Sequence, residues 1–291
     1  MPDTISFTIS FIGNGGQVII SAPSVSVSDG GRVESNAFLI GRGGDIVIEA
    51  GRLFSVTSGG EISSFNQSVF SRGGDVKVTG GSVEISGAGS RIFSRSAQGA
   101  SNDPTIGAGN ISVDVSGQVN LLGGGQIQSG DFGFQGAEIK VIAGGPVVLS
   151  GVGSGISSQA FSNDVGQVAI TSPTLSIDQG FVRASTTGAG NAGTVLVDVT
   201  KLTMSNNSQI ASSSVGDATT GAGGDIELNA TNSVSIRSGA GIFATAEGPG
   251  RAGSIRITTP NFDVQNGLVT TASAQAAGVI LQSILPAPSC I

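Results

Sequence analysis

Gly43-Gly44-Asp45-Ile46-Val47-Ile48 and, further along, Gly73-Gly74-Asp75-Val76-Lys77-Val78 are two copies of one pattern: a pair of small residues, one polar residue, then an alternating apolar run. Outward from these two, the pattern returns as Gly15-Gly16-Gln17-Val18-Ile19-Ile20, Ala108-Gly109-Asn110-Ile111-Ser112-Val113, Gly136-Ala137-Glu138-Ile139-Lys140-Val141 and Val165-Gly166-Gln167-Val168-Ala169-Ile170. It closes with Ala192-Gly193-Thr194-Val195-Leu196-Val197, Gly223-Gly224-Asp225-Ile226-Glu227-Leu228 and Ala252-Gly253-Ser254-Ile255-Arg256-Ile257. The second small residue falls at 16, 44, 74, 109, 137, 166, 193, 224 and 253, so the steps are 28, 30, 35, 28, 29, 27, 31 and 29 residues. A repeat in that window marks a solenoid, whose units bury their apolar faces only by stacking on one another.

Each unit holds two more apolar pulses. The second pairs Val25 with Val27, Phe54 with Val56, Val83 with Ile85, and so on to Phe262 with Val264, with mostly polar residues between the members. This alternation of period two predicts strands with one buried and one wet face. The third pulse sets a large residue two positions before a small polar one: Ile62 and Ser64, Ile92 and Ser94, Ile127 and Ser129, Ile156 and Ser158, Ile210 and Ser212. Two residues apart in a strand is the same face, so these serines are expected to point inward, bonding one another or the backbone of a corner. Glycine pairs such as Gly30-Gly31, Gly59-Gly60, Gly80-Gly81, Gly124-Gly125 and Gly144-Gly145 separate the pulses and suit the corners. The sequence therefore predicts an all-β fold: a right-handed single-stranded parallel β-helix of about nine rungs, three short strands to a rung, roughly 40 Å long. The handedness follows the general preference of parallel crossovers.

One continuous solenoid is expected over residues 1–271, with 272–291 as a C-terminal tail or cap. Ile5, Phe7, Ile9 and Phe11 alternate without a small-residue marker, which predicts the last strand of a preceding rung. The longest connection, 93–108, follows a third strand, where insertions leave the stacking undisturbed.

Composition narrows the function. The net charge is −7 with only three lysines, Lys77, Lys140 and Lys201, which argues against nucleic-acid binding, since that needs a basic stripe to displace counterions. No apolar run is long enough for a transmembrane helix, and the first residues carry no signal-peptide pattern. Histidine is absent, which removes most general-base, triad and zinc arrangements, and leaves Cys290 without a base to activate it. No cofactor or metal motif is present. Gly-Gly-Asp resembles part of a calcium-binding nonapeptide, but the tandem is missing. Trp and Tyr are both zero, and the outward Phe93 and Phe243 stand far apart in the stack, so an aromatic sugar platform is not expected.

Carboxylate chemistry remains. Aligned rungs put Gln17, Asp45, Asp75, Asn110, Glu138, Gln167, Thr194, Asp225 and Ser254 in one column. Asp45 and Asp75 are then about 5 Å apart at Cα, near the carboxyl separation of a retaining glycosidase, and are the weak catalytic candidates. The competing reading is structural: the position lies where a corner enters a strand, which favours side chains that bond local backbone, with Arg42 and Arg72 balancing the charge.

The units around Gly44, together with Asn191-Ala192-Gly193-Thr194-Val195-Leu196-Val197 and Ser205-Asn206-Asn207-Ser208-Gln209-Ile210-Ala211-Ser212-Ser213-Ser214, resemble the repeats of filamentous haemagglutinin-like exoproteins, notably cyanobacterial ones. The resemblance spans 13–269 and is specific for architecture. It implies a right-handed β-helix secreted or displayed at the outer cell surface, working in adhesion toward a host or surface glycan or protein, with an outer-membrane two-partner transporter as partner. The Asn-Pro-Asn motifs of that family's secretion domain have no match here. The expectation is a non-catalytic shaft segment of such an adhesin. A polysaccharide-cleaving β-helix enzyme and a degenerate fragment without independent function are the alternatives.

Overall fold

The apolar alternation becomes strand wherever it occurs. In Ile46–Thr57, Ile46, Ile48, Ala50, Phe54 and Val56 are buried while Glu49 is exposed. A computed structural model of the protein describes residues 6–66, 72–96, 106–130, 136–161, 164–216, 221–274 and 282–283. The described residues form strands and turns with no helix. They wind as a right-handed parallel β-helix.

Register makes the columns explicit. Val18, Ile46, Val76, Ile111, Ile139, Val168, Val195, Ile226 and Ile255 pair in succession through the first pulse. The third pulse stacks Val33, Ile62, Ile92, Ile127, Ile156, Val182, Ile210, Ile242 and Val269. Between the nine markers, Gly16 to Gly253, the chain completes eight turns. The inward side chains form one continuous apolar cluster. Fully burying an Ile, Val or Leu contributes roughly 1.5–3 kcal/mol, and each does so against the turns on either side. Phe262 and Val264 pair with buried Val234 and Ile236 and are themselves 49% and 38% exposed.

The three corners differ from expectation in one respect. Among the described residues the strands form two sheets, one of ten strands carrying the third pulse and one of thirteen carrying the first two. In six turns the first and second pulses run as one long strand: Val18–Val27, Ile46–Thr57, Val76–Ser86, Val168–Asp178, Val195–Ser205 and Ile226–Arg237. They separate only where Ser116-Gly117, Gly144-Gly145-Pro146 and Thr259-Pro260 intervene. The middle corner is thus a bend with register slips, for example between Ala22 and Ser24 across Pro23 and between Ala50 and Leu53 across Gly51. An extra residue bends a strand without ending it, and such a bulge accepts a proline that donates no ladder bond.

The corner before the third pulse is a true turn. Gly59 and Gly87 adopt φ of 77° and 88°, and Ser58, Asn206 and Asn266 take similar left-handed values of 51°, 53° and 51°. At the N-terminal end, Ser6–Ile12 pairs in parallel with Arg32–Ile40 as the first strand of the ten-stranded sheet, as its alternation predicts. Of the tail, Gln282–Ser283 pairs with Ile255–Thr258. The rest of 275–291 and most of the long 93–108 connection lie outside the described residues.

Candidate functional site

The Arg-Gly-Gly-Asp copies sit where a corner enters the thirteen-stranded sheet. Stacking brings Asp45 and Asp75 together, and Arg42 lies between them: its Nη2 is 3.0 Å from Asp45 Oδ1 and 2.9 Å from Asp75 Oδ2. Arg72 Nη2 adds a 3.0 Å contact to Asp75 Oδ1, and its Nε donates to the Ala108 carbonyl at 3.0 Å. Each carboxylate also holds the next turn's backbone. Asp45 Oδ1 accepts the Asp75 N–H at 2.9 Å, and Asp75 Oδ1 accepts the Asn110 N–H at 2.7 Å. Asn110 Oδ1 does the same for Glu138, at 3.1 Å, and Asp225 Oδ1 for Ser254, at 2.7 Å. Both candidate carboxylates are therefore engaged in the stack by backbone N–H groups or guanidinium, and their arrangement stitches one corner to the next.

The inward serines do a second version of this work. Ser94 Oγ donates to the Gly74 carbonyl at 2.9 Å and accepts the Gly109 N–H at 2.8 Å. Ser64 links Gly44 and Gly74 in the same way, at 2.9 and 2.8 Å. Ser129 links Gly109 and Ala137, at 3.1 and 3.0 Å. Of the two bonding modes open to the serines, bonding to corner backbone is the one adopted. Where the column carries Ala184, the Gly193 N–H instead reaches the Ala184 carbonyl at 3.1 Å.

Two surfaces remain. An open groove of about 580 Å³ follows the bend over the first three long strands, lined by Ser21, Pro23, Glu49, Arg52 and Thr79. The other is the outward face of the ten-stranded sheet. Phe93 points outward there, as its place in the alternation predicts, yet is only 1% exposed. The guanidinium groups of Arg91 and Arg95 lie 4.5 and 5.0 Å from its ring centre, and Arg95 is 4.4 Å from the Phe65 ring. Arg91 also pairs with Glu61 at 2.7 Å, and Arg32 with Glu34 at 3.1 Å. Further along, Arg183 lies 4.4 Å over the Phe181 ring. The signal for these clusters was spacing: Arg91-Ile92-Phe93-Ser94-Arg95 and Phe181-Val182-Arg183 put cation and ring on one face of a strand.

Among the described residues no group of three or more His, Cys, Asp or Glu is placed to hold a metal ion, and no helix is long and apolar enough to cross a membrane. Comparisons with protein-family models, curated proteins and solved structures give no match.

Proposed function

We propose that the chain is a β-helical shaft segment of a secreted or surface-displayed bacterial adhesin, with a two-partner outer-membrane transporter as its export partner. The observation that carries this reading is the recurrence of the same corner contacts from turn to turn. Ser64, Ser94 and Ser129 each tie one turn's marker to the next, and Asp45, Asp75 and Asn110 do so at the neighbouring position. A rod built this way resists shear between turns and grows by adding units, which suits a spacer that carries a binding function away from a surface. The resemblance to haemagglutinin-like repeats supports the same role.

Two measurements test it. Antibody against the folded protein is expected to label intact cells of the source organism, and external protease to remove the label; signal only after lysis overturns surface display. The enzyme alternative is read by release of reducing ends from acidic and neutral glycans. The expected result is no release above that of an Asp45→Asn/Asp75→Asn double variant. Activity in the parent that the double variant lacks overturns the non-catalytic reading.

A further inference from the structure

On the outward face of the ten-stranded sheet the strands from Gln126–Ser129 onward, namely Gly155–Ala160, Phe181–Thr186, Gln209–Ser214, Gly241–Ala246 and Leu268–Ser273, carry a single charged residue, Arg183. Upstream, on the same face, Arg32 and Arg91 each have a carboxylate partner. Arg183 has none among the described residues: its Nη2 donates to Gln209 Oε1 at 2.8 Å, its guanidinium lies over Phe181, and burial pushes it below its ordinary pKa. A guanidinium carries five N–H donors in a planar fork. With one engaged by a neutral amide, the others have no protein acceptor among the described residues, in a place where water already solvates the charge poorly. Gln209, its Oε1 held by Arg183, keeps its amide N–H groups to donate beside that fork. In register Arg183 stands between the buried Ser157 and Ala211, and the next outward pair beside it is Ser185 with Gln159, a hydroxyl and an amide.

We propose that this face binds a carboxylate-bearing glycan, with a uronate carboxylate on the Arg183 fork and the Gln209 amide. The chemistry selects this class. A planar fork matches a carboxylate with two parallel bonds, the amide and hydroxyls match sugar hydroxyls, and a half-buried cation without a counterion gains most from an anion that supplies one. The absence of carboxylates on these strands leaves the approach locally unopposed although the whole chain is acidic. The proposal rests on this face alone and is read on purified protein, so its failure and a failure of surface display are separate results.

The experiment is calorimetric titration of the whole chain with a tetra-galacturonate and with its carboxyl-reduced, neutral analogue. Binding of the uronate that weakens with salt is expected, with the neutral analogue and Arg183→Gln each losing roughly 10- to 100-fold. Arg183→Lys keeps the charge but not the fork and should fall between. Gln209→Leu should weaken binding while leaving the fork intact. Because Arg183→Gln removes a half-buried unpaired charge, its melting temperature should not fall, whereas a purely structural arginine would lower it. Undetectable binding by the parent overturns the proposal, as does undiminished binding by Arg183→Gln or by the neutral analogue. Equal or tighter binding of a sulfated oligosaccharide overturns the choice of carboxylate.

Discussion

Ser94 concentrates the physics of this fold in one hydroxyl. It is fully buried and satisfies a carbonyl of its own turn and an N–H of the next, Gly74 and Gly109, in a place water does not reach. Truncation to alanine leaves both backbone groups without that partner, so Ser94→Ala should cost about 1–3 kcal/mol by urea denaturation. Ser112→Ala, on the outward column, should stay within about 0.5 kcal/mol. The same reasoning separates two changes at Asp75. Asparagine keeps an oxygen for the Asn110 N–H and loses only half-exposed ion pairs, worth roughly 0–1 kcal/mol, whereas alanine loses the backbone contact too. Asp75→Ala should therefore be the more destabilising of the two, and a reversed order would mean that charge rather than the corner contact governs this site. Serine's inward direction was legible from its two-residue spacing after Ile92. Which of the two expected bonding modes it adopts, and with which residues, was not, because its partners belong to corners some fifteen and twenty residues away along the chain.

At the level of strands and corners, the second marker residue is fixed by close stacking. A methyl on Gly74 would stand 2.1 Å from the Gly44 carbonyl oxygen and 2.4 Å from its carbon, both backbone, so neither turn yields without shifting the other. Gly51, at the bend, has only Pro23 backbone near such a methyl, at 3.7 Å. Gly74→Ala should therefore lower the urea midpoint, by an amount equivalent to roughly 1–3 kcal/mol or more, while Gly51→Ala leaves it nearly unchanged. Equal effects would place the constraint in glycine's flexibility rather than in contact between turns. Ala137 occupies the marker position of the fifth unit, so the stack accommodates one methyl there. The columns themselves were legible, since a strand period of two inside a repeat of about thirty fixes which residues stack. The middle corner was not, because Gly80-Gly81 and Gly144-Gly145 look alike in sequence yet the first lies within a continuous strand and the second breaks it. The burial of Phe93 was not legible for a related reason: its outward direction follows from alternation, but its burial comes from Arg91 and Arg95 folding over the ring, and side-chain direction beyond Cβ has no period to read.

For the molecule as a whole, the consequence of turn-upon-turn stacking is that the unit of tolerance is the turn. Gly166 and Gly193 are equivalent markers, and 27 residues separate them. Removing residues 166–192 joins Val165 to Gly193 and keeps every column in phase. The shortened protein should fold, with far-UV dichroism unchanged in shape, a melting temperature within roughly 10 °C of the parent, and a urea m-value lower by about a tenth. Removing only 166–179 joins Val165 to Gly180, puts third-pulse residues where first-pulse residues belong, and should abolish cooperative unfolding. The full-turn deletion also takes Phe181 and Arg183, so uronate binding should vanish from a protein that still melts as a solenoid. If instead the two deletions destabilise alike, the structure is held by contacts specific to individual turns. A shaft whose length is set by the number of its units would then no longer describe it.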